Sequence, residues 1–127
     1  DESTQRKRIQ LRVESGYGKV IALTFDDGTN TDTTPLVLDK LEEHGIVASF
    51  FVIGNTITDE IAEVMKRAYN MGCDIENHSQ SHPDMTKMTA EEIKAEIDFT
   101  SDKVEEAVGE RPQFFRPPYI AAHHLMT

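Results

Sequence analysis

Four short β-branched and aromatic runs, each broken off by polar or helix-stopping residues, constrain this chain more than any other feature. Val20-Ile21-Ala22-Leu23-Thr24-Phe25 is almost continuously apolar and stops at Asp26-Asp27-Gly28, the pattern of a strand buried on both faces. Val47 to Ile53 ends at Gly54, Cys73 to Asn77 is a shorter third run, and Gln113-Phe114-Phe115-Arg116 is stopped by Pro117-Pro118. Between them the apolar period changes to that of helices. Thr34 and Pro35 open the first, with Val37, Leu38 and Leu41 on one face and Gly45 at its end. Thr58 caps the second, lined by Ile61, Val64, Met65 and Ala68 and closed by Gly72. Thr89-Ala90-Glu91-Glu92 is a capping box for the third, which carries Ile93, Ile97, Val104 and Val108 before Gly109.

Strands that alternate with helices of this length require right-handed crossovers and a parallel sheet, so the fold class is α/β. In such folds the loops after the strand C-termini share one face, and ligand sites are built there. Asp26 and Asp27 follow the first strand, His78 follows the third and Arg116 ends the fourth. These polar residues therefore converge before any function is assumed. The 127 residues suit one folding unit, with residues 1–18 as an N-terminal extension and 19–127 as the organised part.

Charge narrows the partners. Thirteen Lys and Arg against twenty-three Asp and Glu leave a net charge of −10, which repels phosphate backbones and argues against nucleic acid. The acids at Glu42, Glu43, Glu91, Glu92, Glu105 and Glu106 read as a solvated helical surface. No apolar run approaches the roughly 18 residues of a membrane span. Cys73 is the single cysteine, which excludes an internal disulfide and a thiolate metal cluster. Residues 1–12 carry Arg6, Lys7, Arg8 and Arg12 without the apolar core of a signal peptide, so either export is absent or a leader has been trimmed.

The converging residues admit chemical readings beside plainer ones. Asp26 and Asp27 are adjacent acids that repel unless a cation joins them, or else they are two solvated acids of an Asp-Gly turn. His78-Ser79-Gln80-Ser81-His82 places two imidazoles four apart, which brings them together if the stretch forms a helical turn. Neutral imidazole suits zinc, cobalt and nickel, although loop histidines are often only solvated. Arg116 needs an anion, which is one of the first-strand acids or a surface partner. Tyr119 reads on its own as a packing ring.

Thr24-Phe25-Asp26-Asp27-Gly28, His78-Ser-Gln-Ser-His82 and Arg116-Pro117-Pro118-Tyr119 together resemble the first three motifs of the polysaccharide deacetylases, carbohydrate esterase family 4, the NodB homology domain. Their order and separations match as well, over roughly Lys19 to Tyr119. The resemblance implies part of a distorted, TIM-like β/α barrel and metal-assisted removal of acetyl groups from a polysaccharide, either acetylxylan or an N-acetylglucosamine polymer such as peptidoglycan or chitin. It implies that Asp27, His78 and His82 hold a divalent metal ion, with zinc first and cobalt or nickel as substitutes. Asp26 becomes the general base, Arg116 the group that holds its carboxylate, and the Tyr119 N–H a donor to the oxyanion. It also implies an extracellular or cell-envelope location, and the Arg-Pro-Pro-Tyr-Ile form leans toward the acetylxylan esterase branch.

The chain departs from the family too. The later motifs, including the histidine that serves as general acid, have no counterpart, and there is no Trp. His123 and His124 follow the third motif too soon to replace that acid and read as tail residues. Ile120 stands where many members have glycine, and Thr29 where they often have proline. Four strands make half a barrel, whose open edges are expected to pair with further chain or with a second copy. Two alternatives follow: a metal-binding fragment without activity, and an aspartate phosphatase. The second is disfavoured because that chemistry wants its other Asp at position 28, which is Gly28.

Overall fold

In a computed structural model, which describes residues 21–121, the chain folds as a parallel sheet with helices packed on one face. The expected extension over residues 1–18, Val20, His123 and His124 lie outside the described residues. The order is β1 (Thr24–Asp26), α1 (Thr34–Glu43), β2 (Ser49–Val52), α2 (Asp59–Asn70), β3 (Asp74–Asn77) and α3 (Ala90–Val108). Short 3₁₀ turns lie at Gly54–Thr56, Met85–Lys87 and Pro118–Ile120. Strand order is β1-β2-β3, with Phe25 opposite Phe50 and Phe50 opposite Ile75. This is the α/β class that the alternation requires.

Alternation along the strands separates the two faces of the sheet. Phe50, Val52 and Ile75 point to the helices and meet Leu38 and Leu41 of α1, Met65, Ala68 and Tyr69 of α2, and Val104 of α3 in one buried cluster with Cys73. The Phe25 ring stacks on Phe50 with centroids 5.2 Å apart. The opposite face carries Thr24, Asp26, Ser49, Phe51, Asp74 and Glu76, a polar surface for a sheet interior. No described helix is long and apolar enough to cross a membrane.

Three local expectations are corrected. The first run is not buried on both faces: Ile21 is 94% exposed and the strand proper begins at Thr24, because among the described residues β1 lies at the sheet edge and pairs with β2 alone. The first helix starts at Thr34 rather than being capped by it. Asn30 does the capping, its Oδ1 accepting from the N–H groups of Asp32, Thr33 and Thr34. The fourth run makes only a bridge, Asn77 to Phe115, because Pro112 and Pro117 flank it and the Glu76 carboxylate takes the Gln113 and Phe114 N–H groups. The other two helix starts stand as read: Thr58 accepts from the Ile61 N–H, and Thr89 and Glu92 form the reciprocal box. Gly109, at φ 83°, ends α3 in the left-handed conformation that glycine adopts without cost.

Candidate metal centre

The C-terminal ends of β1 and β3 and the segment after α3 meet at one point. His78 follows β3 and is 3% exposed, its N–H donating to the Val52 carbonyl. Its Nδ1 lies 2.7 Å from the Arg116 carbonyl oxygen. A carbonyl only accepts, so Nδ1 carries the proton and Nε2 is turned toward the site, the outer hydrogen bond that orients metal-ligating histidines.

His82 reaches the same point, but not by the helical turn that its spacing suggested. The chain from His78 to His82 is a loop with left-handed backbone at Ser79 (φ 77°) and His82 (φ 59°). Ser79 Oγ accepts from the His82 N–H at 3.0 Å, and Asn77 Oδ1 accepts from the Ser79 N–H at 2.8 Å. The imidazoles end 5.0 Å apart, centroid to centroid, and nearly perpendicular.

Asp27 faces them from β1. Its φ of 72° lies in the left-handed region, which Asp tolerates better than most residues, and this reversal sends the two aspartates different ways. Asp27 Oδ1 is 3.4 Å from His78 Nε2 and 3.2 Å from His82 Nε2. One ligand atom from each of the three residues lies within 4.8 Å of the others. Two imidazole nitrogens and a carboxylate oxygen aimed at a common point are a donor set that fits a divalent transition ion.

Asp26 turns instead to Arg116, whose Nη1 donates to Oδ1 at 2.6 Å and to Thr24 Oγ1 at 3.1 Å. The guanidinium also lies 4.1 Å over the Phe51 ring. The anion that Arg116 required is therefore Asp26. Tyr119 packs its ring edgewise on His82 at 4.8 Å and is 69% exposed, so it is no core ring. Tyr119 and Ile120 both have positive φ (59° and 54°), a costly conformation for the β-branched Ile120.

Three supporting residues escaped the sequence reading. Asn77 donates from Nδ2 to the Ile97 carbonyl and to Ser101 Oγ, tying β3 to α3. Glu76 anchors residues 113 and 114 and so places Arg116. Glu96 binds the loop between the histidines. The one available signal was periodicity, since Glu96 falls three residues after Ile93 on the packed face of α3.

The family model for polysaccharide deacetylases matches residues 14–126. The chain belongs to the polysaccharide deacetylase family. This deacetylase-family chain is 44% identical over 108 residues to the bifunctional xylanase/deacetylase of Pseudobutyrivibrio xylanivorans, covering 85% of this chain and 18% of the relative. It is 39% identical over 104 residues to a peptidoglycan-N-acetylglucosamine deacetylase of Bacillus cereus, covering 81% of this chain and 38% of the relative. Among solved structures, a family 4 acetyl xylan esterase from Clostridium thermocellum in complex with cobalt superposes with a TM-score of 0.82 at 37% identity, over 85% of this chain and 53% of the other. The chain thus spans well under half the length of these curated relatives and about half of that solved chain. The likeness agrees with the fold class expected from the motifs, part of a distorted β/α barrel.

Proposed function

We propose that the protein to which this chain belongs removes acetyl groups hydrolytically from an acetylated polysaccharide, with a divalent metal held by Asp27, His78 and His82. The convergence of Asp27 Oδ1, His78 Nε2 and His82 Nε2 carries the reading. Zinc is the first choice for two nitrogens and one carboxylate oxygen, with cobalt or nickel as substitutes. Such an ion supplies Lewis acidity, polarising a carbonyl and making water acidic. The chain's own residues do the remainder. Asp26 accepts the proton of the attacking water, Arg116 fixes the Asp26 carboxylate toward the site, and the Tyr119 N–H donates to the developing oxyanion.

Acetylated xylan is the favoured substrate, supported by the xylanase/deacetylase relative and the acetyl xylan esterase likeness; peptidoglycan is the second, supported by the Bacillus cereus relative. Either polymer implies action outside the cell or in its envelope. Exposed Leu23, Leu36 and Ile46 along the β1 edge favour further chain or a second copy against that side.

Acetate release from acetylxylan and from an N-acetylglucosamine oligomer by the full-length gene product is the test, before chelation, after it, and after zinc or cobalt is restored. Release that chelation abolishes and metal restores is expected, faster on the xylan ester. Release indifferent to chelation would contradict the reading.

A further inference from the structure

We propose that Glu96 of α3 is a positioning residue that clamps the His78–His82 loop in the shape a metal ion needs, an inference that rests on the ligand roles given above to Asp27, His78 and His82. Its carboxylate accepts three hydrogen bonds from the two residues just before His82. Oε2 takes the Gln80 N–H and the Ser81 N–H, each at 2.9 Å, and Oε1 takes the Ser81 hydroxyl at 2.7 Å. Hydrogen bonds to an ionised acceptor are the stronger kind, and three of them fix the plane of the carboxylate as well as the loop.

The loop needs such a clamp. Its two left-handed residues, Ser79 and His82, are not glycine, and conformations of that kind persist only where the surroundings over-determine them. Other bonds hold the loop elsewhere: Gly54 N–H donates to the Ser79 carbonyl, Asn55 N–H to the Gln80 carbonyl, and Ser79 N–H to Asn77 Oδ1. The amides of Gln80 and Ser81 face α3, and Glu96 is the acceptor that meets them. His78 is buried and fixed through Nδ1, but the His82 side chain is 25% exposed and relies on this loop for its place. Glu96 therefore acts on the metal through His82, not by touching it.

Cobalt titration of the full-length gene product, read by its visible absorption and by competition with a chelator, tests this. Glu96→Ala is expected to weaken cobalt affinity by about 10–100-fold, the range for loss of a residue that orients a ligand. Glu96→Gln keeps an oxygen for both amides and an NH₂ for Ser81 Oγ, so it should restore affinity to within about threefold, neutral bonds replacing charged ones. Glu92→Ala removes one half of the capping box of the same helix, the bond from the Thr89 N–H; it should lower the melting temperature and leave cobalt affinity and spectrum unchanged.

Equal affinity in Glu96→Ala and wild type, with wild type binding cobalt, overturns the clamp alone. If wild type binds no cobalt, the ligand reading itself falls and the clamp with it. Glu96→Gln as weak as Glu96→Ala would make bare charge the cause, and Glu92→Ala as weak would make it general loosening of α3; either result overturns the proposal. Should Glu96→Ala fail to fold, Ser81→Ala decides: a few-fold weaker binding supports the clamp, and unchanged binding contradicts it.

Discussion

The histidine wall of the site grows from a strand flanked on both sides, by β2 and by the bridge at Phe115, while the aspartate wall hangs on an edge of the described sheet. His78 follows β3, which pairs with β2 and is bridged to Phe115, and its loop is tied to α3 through Asn77 and Glu96. Asp27 follows a three-residue strand with one neighbour among the described residues, and its side chain is 67% exposed against 3% for His78. Packing and hydrogen bonds preorganise the first wall. The second depends on Arg116, which crosses from the segment after α3 to bind Asp26, and on the cation proposed to join Asp27 to the imidazoles. Rigidity therefore lies with the two histidines proposed as ligands, and the proposed base and third ligand lie where the described chain is less enclosed.

The contrast can be broken most directly at Asp26, where the largest effect is expected. Asp26→Asn in the full-length gene product should lower acetate release by about a hundredfold or more, as loss of a general base does, while leaving metal affinity nearly intact. Paired measurement of turnover and metal content decides it. If the substitution strips the metal and leaves turnover of the loaded protein alone, the two aspartates do not have the separate roles that their opposite directions suggest.

A smaller effect is expected on the histidine wall, at Gly54, whose N–H holds the Ser79 carbonyl. A Cβ there would collide with Thr100 Oγ1 and meet Phe99 Cδ1 at 2.9 Å. Thr100 is fully buried, so Gly54→Ala should cost about 1–3 kcal/mol, the usual range for overpacking. Urea denaturation measures it. An unchanged midpoint would mean that the loop and α3 are less tightly joined than the contact implies.

Much of this arrangement was legible in residue order. Helix starts at Thr58 and Thr89 were readable because their hydrogen bonds are local, made within three residues. The meeting of Asp26, Asp27, His78 and Arg116 was readable because a parallel sheet delivers its strand ends to one face. What escaped was non-local. Position in the sheet put the strand that begins at Thr24 on an edge among the described residues, and a carboxylate from β3 took the amides that a fourth strand needed. The four-residue spacing of His78 and His82 pointed to a helical turn, yet contacts 16 and 15 residues away, to Glu96, shape a loop instead.

Metal content and affinity of the full-length gene product after gentle dialysis, measured for wild type, Asp27→Asn and His78→Ala, test the central claim most directly. The account predicts one tightly held divalent ion per wild-type chain, weakened binding in Asp27→Asn and a greater loss in His78→Ala. Wild type and His78→Ala holding the same negligible metal, even with zinc or cobalt supplied, would contradict it.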